Sequence, residues 1–162
     1  MGKTSSFYSR GLTLIGFIVV VVIIGILAVG VIIFLDPSAQ LQKSRDAQRK
    51  SDLSQIQKAL EVYYQDNNSY PTTDGNYDLG TAWGAPWLPY MGTLPKDPSP
   101  LQHYVYYSTG QSYYLYASLE RESKDPQACN SGNACASATT NGVAAKCGGI
   151  CNYGVSTPDV SL

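Results

Sequence analysis

The stretch Leu12-Thr13-Leu14-Ile15-Gly16-Phe17-Ile18-Val19-Val20-Val21-Val22-Ile23-Ile24-Gly25-Ile26-Leu27-Ala28-Val29-Gly30-Val31-Ile32-Ile33-Phe34-Leu35 decides the fold. Its 24 residues include 20 apolar ones and no charge, with only Thr13, Gly16, Gly25 and Gly30 breaking the run. As a helix rising about 1.5 Å per residue it reaches ~36 Å, enough to cross a hydrocarbon core of about 30 Å. A secretory signal core is shorter and ends at small residues, whereas this run ends in Phe34-Leu35-Asp36-Pro37. A buried helix of a globular protein is rarely apolar on every face. The run is therefore read as a membrane-spanning helix.

Outward from that run the composition changes. Residues 36–162 carry 12 Tyr and 2 Trp but no Phe. Tyrosine adds apolar area with a tip that tolerates water, which suits a small, thin-cored extracytoplasmic head. The formal charge is −1, from 11 Lys plus Arg against 12 Asp plus Glu, and offers no footprint for nucleic acid. One histidine and four cysteines leave few candidates for catalysis, and the chain is read as not an enzyme. The charge rule for orientation points the wrong way for such a head. Lys43, Arg45, Arg49 and Lys50 follow the span, against Lys3 and Arg10 before it. Paired cysteines argue for the opposite placement, since disulfides persist in oxidising compartments.

Asp36-Pro37 punctuates the helix, as an N-cap arrangement or as a kink in one long helix. Between Ser38 and Asn67 there is no Gly or Pro, and Leu53, Ile56, Leu60 and Tyr63 recur on one helical stripe. The charges from Lys43 to Asp52 read as a solvated helix face, with phosphate, lipid headgroups or a partner's carboxylates as alternatives. Frequent Pro and Gly over residues 71–101 mark an irregular loop whose Trp83 and Trp87 can pack on the stripe. His103–Tyr107 and Ser112–Leu119, separated by Ser108-Thr109-Gly110-Gln111, predict a β-hairpin. The tail from Ser123 is too polar to order itself by burial.

Cys129, Cys135, Cys147 and Cys151 lie in that tail with spacing C-x5-C-x11-C-x3-C. Only the second half has a zinc-knuckle spacing, so two disulfides are the better reading. Three connectivities are open, and the short-range pairs Cys129–Cys135 and Cys147–Cys151 are slightly favoured by easier loop closure. His103 has no nucleophile motif beside it and is read as structural. Asp97, Glu120, Glu122, Asp125 and Asp159 carry oxygens of the kind Ca²⁺ takes, without a fixed-spacing loop. No other cofactor and no metal are expected.

Arg10-Gly11-Leu12-Thr13-Leu14-Ile15 resembles the type IV prepilin signature, a short basic leader ending in Gly before an apolar helix. Ser44–Leu60, Asp66-Asn67-Asn68-Ser69-Tyr70-Pro71 and Leu94-Pro95-Lys96-Asp97-Pro98 are similar to the G-type pseudopilins of type II secretion and related pilins. The resemblance is specific over residues 10–71, fair to about 119 and weak beyond. It implies cleavage between Gly11 and Leu12 by a prepilin peptidase, then N-methylation of Leu12. It implies an α+β fold: a long N-terminal helix, membrane-spanning in its first half and amphipathic in its second, packed on a small antiparallel head. The segments expected are a leader over 1–11, a filament-core helix over 12–35, and an amphipathic half over 36–68. A loop and hairpin head over 69–122 and a Cys-containing loop region over 123–162 follow.

Functionally, the resemblance implies a filament subunit that waits in the inner or cytoplasmic membrane, N-terminus cytoplasmic and head outside. From there it enters a periplasmic or extracellular filament. The implied partners are other pilins, the peptidase, a platform membrane protein, a motor ATPase and membrane lipid. One position departs from the family. Where the mature chain normally carries Glu at its fifth residue, this chain has Gly16, an atypical assembly position that suits a minor or tip subunit. The alternative is a single-pass surface protein that never polymerises and binds a ligand such as a glycan through its Tyr-rich head.

Overall fold

The computed structural model describes residues 13–73 and 75–162, with the side chains of residues 31–35 also outside the description. Gly11 and Leu12, where cleavage and N-methylation are expected, lie outside the described residues. The chain is α+β and divides into two compact units, residues 1–38 and 39–162.

The first unit contains helix α1, Leu14–Leu35. Thr13 caps it: backbone extended, hydroxyl oxygen accepting the Gly16 N–H at 3.2 Å, which satisfies one of the orphan donors of the first turn. The helix stops at Asp36, whose φ of 38° and ψ of 77° lie in the left-handed region, and helix α2, Pro37–Asn67, follows. The chain is thus helical from Leu14 to Asn67 with one interruption, at the Asp-Pro step. Pro37 opens α2 without loss because the first helical N–H has no intrahelical acceptor. Among the described residues no helix is long and apolar enough to cross a membrane.

The second unit is the head. The predicted hairpin forms from β1, Val105–Ser108, and β2, Tyr113–Ala117, paired antiparallel with Val105 opposite Tyr116 and Ser108 opposite Tyr113. The polar tail supplies a third strand, β3, Tyr153–Ser156, against β2, with Leu115 opposite Val155. It also supplies a short helix α3, Ala136–Thr140. Side chains alternate between the faces of a strand, and here each face has its own core. On one, Tyr106, Tyr113, Leu115 and Ala117 pack with Leu53, Ile56, Ala59 and Leu60 of α2. On the other, Val105 and Tyr116 pack with Ala138, Val143, Cys135, Cys147 and Cys151.

The helix stripe holds as read from the sequence: Leu53, Ile56 and Leu60 are fully buried, and Tyr63 packs against the same core. Trp87 stacks on Tyr63 at 5.6 Å and Trp83 meets Tyr104 edge-on at 5.8 Å, as expected for a loop packed onto that stripe.

The tail departs from the expected loop region by carrying a strand and a short helix, and Asn152 shows how they are held. Its side chain is 1% exposed. Its Oδ1 accepts the Leu119 N–H at 2.7 Å, and its Nδ2 donates to the carbonyls of Leu119 and Gly132. Its own carbonyl accepts the Cys129 N–H at 2.7 Å. The tail therefore orders through the sheet, through these bonds and through the small core that Ala138, Val143 and its cysteines share with Val105 and Tyr116. Gly148 permits the close approach this needs. At φ 71°, a Cβ there would stand 2.1 Å from the Leu101 carbonyl oxygen.

Candidate functional site

Two features carry the functional reading: the exposed face of α1 and the charges at the start of α2. On α1 every large apolar side chain from Leu14 to Val29 is between 47% and 77% exposed. An apolar surface of that extent marks a site that another molecule or a membrane covers. Gly16 lies one turn inside this helix, and a Cβ there would stand 3.3 Å from Thr13 Oγ1. A side chain at 16 is thus accommodated by a small shift of the Thr13 hydroxyl. No acidic side chain lies between Leu12 and Leu35.

The charges of α2 correct the reading of a solvated face. Arg49 is completely buried and Asp46 is 1% exposed. The Arg49 guanidinium grips Asp97 with two prongs, Nε to Oδ2 at 2.8 Å and Nη2 to Oδ1 at 2.9 Å. Its Nη1 donates to Asp46 at 2.8 Å, and its Nη2 also donates to Glu120 at 2.9 Å and to the Gln102 side-chain carbonyl. Asp46 in turn accepts the backbone N–H groups of Glu120 and Arg121 at 2.9 and 3.0 Å. One turn away, Lys50 pairs with Asp125 at 2.7 Å, and Tyr104 donates to Asp52 at 2.7 Å. These bonds tie α2 to the loop before β1 and to the segment after β2, across 48 to 75 residues of chain.

The electrostatics follow from these contacts. Glu120 is held below the ordinary carboxylate range by hydrogen bonds from Arg45, then from Arg49. Burial alone would lower the Arg49 pKa, but Asp97 and Glu120 outweigh it and keep the guanidinium charged. Burial would raise Asp125, but the hydrogen bonds from Lys50 and the Gln127 N–H, together with the charges of Lys50 and Arg121, bring it below its ordinary value. Asp52 goes the other way, pushed up by burial ahead of the Tyr104 bond that opposes it.

The five acidic residues considered for Ca²⁺ are not brought together. Asp97, Glu120 and Asp125 are engaged with Arg49, Arg45 and Lys50. Among the described residues no group of three or more His, Cys, Asp or Glu is arranged to hold a metal ion. His103 is exposed, its backbone N–H bonded to the Cys147 carbonyl at 3.1 Å. The four cysteine sulfurs lie at bonding distance in two pairs, Cys129–Cys135 at 1.95 Å and Cys147–Cys151 at 1.97 Å. Sequence reasoning missed Gln102 and the Asp97 pairing entirely. The one local signal was the Asp46-x-x-Arg49 spacing, which places the two on one helix face.

An apolar exposed helix, followed by a charged helix laid on a three-stranded antiparallel sheet, is the architecture of a pilin-like subunit. The chain belongs to the type II secretion system protein G family, whose family model matches residues 38–132. It is 38% identical over 101 residues to a type II secretion system core protein G of Escherichia coli K12, and 41% identical over 98 residues to one of Aeromonas hydrophila. These matches cover 55% and 54% of this chain, and 66% of each relative, just under two thirds of its length. The core protein G of Klebsiella pneumoniae is 37% identical over 112 residues, 58% of this chain and 77% of that protein. No solved structure matches the chain.

Proposed function

We infer that the chain is a structural, non-enzymatic subunit of a secretion-type or pilus-type filament, assembled through its apolar N-terminal helix. The observation that carries this reading is the exposed apolar face of α1, in a chain whose head belongs to the protein G family. A helix apolar on all sides must find burial in lipid before assembly and among neighbouring helices afterwards. The uncharged run from Leu12 to Leu35 supports a membrane span, and the paired cysteines of the head support a head outside and a cytoplasmic N-terminus. Prepilin peptidase cleaves after Gly11, and Leu12 becomes the methylated N-terminus. A platform membrane protein and a motor ATPase then drive extraction, and repeated heterologous contacts build an open helical polymer.

Intact-mass analysis of membrane-extracted chain tests the processing step. Loss of residues 1–11 with a methylated Leu12 is the expected result, and recovery of the whole chain from cells with active peptidase refutes it. Shearing tests assembly, since filament subunits are released to the supernatant whereas a non-polymerising anchored protein stays with membranes.

Gly16 bears on the kind of subunit. A neighbouring N-terminal amine in the apolar filament core has no carboxylate here to pair with, and an unpaired buried charge costs several kcal/mol. The chain therefore enters filaments as a minor or tip subunit. Gly16→Glu raises its ratio to the major pilin in sheared filaments, and abundant homopolymers of the unsubstituted chain would overturn this.

A further inference from the structure

On the face of the sheet away from α2, an open cleft of about 240 Å³ runs between β2, α3 and the last residues of the chain. Its lining includes Tyr114, Ser137, Thr140, Asn141, Ser161 and Leu162, and none of the lining side chains is charged. At about 30 Å³ per water the cleft has room for some eight waters, the scale of one small ring.

Two arrangements make it more than a surface dent. The first is an aromatic wall. Tyr114 lies parallel to Tyr116, with centroids 6.0 Å apart and 3° between planes, and meets Tyr107 at 6.4 Å. Its ring is thereby held in a fixed plane while remaining half-exposed. The second is a directed hydrogen-bond chain. Asn141 Nδ2 donates to the Tyr116 hydroxyl at 3.2 Å, and that hydroxyl donates to Ser137 Oγ at 2.9 Å. The Ser137 proton is then left to donate onward, and among the described residues no protein acceptor takes it. Asn141 Oδ1 and Thr140 Oγ1 remain as acceptors, the Thr140 proton going to the Ala136 carbonyl.

We propose that this cleft is a binding site for a single neutral pyranose ring. The C–H face of such a ring is apolar and stacks on a flat aromatic side chain, while its hydroxyls both donate and accept. The cleft supplies one fixed aromatic plane beside one neutral donor and two neutral acceptors. An anionic ligand would find no counter-charge among these side chains, and a wholly apolar one would strand the Ser137, Thr140 and Asn141 groups. The proposal is independent of filament assembly, because every group it uses belongs to the head.

Saturation-transfer NMR on the full chain, in a detergent without a sugar headgroup, tests it. The probes are the methyl pyranosides of glucose, galactose and N-acetylglucosamine at millimolar concentration. At least one shows transfer to its ring C–H protons. Tyr114→Ala weakens binding by about tenfold or more, and Tyr114→Phe keeps it, because stacking needs the ring and not the hydroxyl. Thr140→Arg, at an exposed position of α3, fills the cleft without touching the sheet core and abolishes binding even if Tyr114→Ala fails to fold. Transfer to none of the three probes overturns the proposal, as does a signal that survives Thr140→Arg.

Discussion

The two units place their charges and apolar groups in opposite ways. On α1, Ile18, Val21 and Ile24 are more than half exposed, while in the head Arg49 is fully buried. The difference lies in where each group finds a partner. The α1 side chains are apolar on every side of one helix, so no intramolecular surface can cover them all. Arg49 is expensive to bury alone, but Asp46, Asp97, Glu120 and Gln102 converge on it from three separate segments. Burial in the head is thus bought with long-range hydrogen bonds, and burial of α1 is left to other molecules.

The sharpest way to break this contrast is at Arg49. Arg49→Ala strands Asp46 and Asp97 without their cation, and losing one half of a buried pair costs about 3–5 kcal/mol. Urea unfolding of the full chain in detergent, followed by the fluorescence of Trp83 and Trp87, reads the loss in the head alone. Arg49→Lys rescues only part, because an ammonium cannot reproduce the fork that grips Asp97. Val21→Ala on α1 leaves the same unfolding curve within about 0.5 kcal/mol. Equal effects at the two positions would dissolve the contrast.

The next largest effect is at the disulfides. Their loops are short, with separations of 6 and 4 residues, so each contributes about 2 kcal/mol in the loop-entropy description. Non-reducing mass mapping should find Cys129–Cys135 and Cys147–Cys151 with no free thiol. Reduction lowers the urea midpoint, and hydrogen exchange then rises in residues 123–162 before α2.

The alkaline limb of stability comes from the tyrosines. Burial pushes Tyr70 and Tyr116 up to about 12. A raised folded pKa gives stability that is complete below the unfolded value, about 10, and is lost as pH rises through the folded one. The head should therefore destabilise between about pH 10 and 12. Phenolate absorbance should show a late-titrating class that merges with the early one once urea is added.

The smallest effect is the acid limb. Glu120 is depressed by Arg45 and Arg49, so its contribution is complete above about pH 4.3, the unfolded value for Glu. It is lost as pH falls through the lower folded value. Glu120→Gln flattens that limb in urea midpoints measured against pH. Asp52, raised by burial, contributes with the opposite sign, so an acid limb unchanged by Glu120→Gln would show that the charge cluster does not govern it.

Sequence by itself determined the features set by local pattern. The uncharged run gave α1, because an apolar stretch of 24 residues without Pro is too long for one strand and satisfies its backbone hydrogen bonds within itself as a helix. The Leu53, Ile56, Leu60 spacing gave the buried stripe of α2, and two Tyr-rich segments around Ser108–Gln111 gave the hairpin. Tertiary structure decided what depends on distant partners. Arg49 is buried only because Asp97 and Glu120, 48 and 71 residues further on, fold back to meet it, and the Asp46-x-x-Arg49 spacing alone does not distinguish it from a solvated arginine. Strand β3 has four residues with a glycine among them, too short a pattern to read alone. It exists because β2 offers an open edge and Asn152 locks the chain in place beside it. Pairing of charge and of backbone is satisfied across space, and that satisfaction lies outside any window of the sequence.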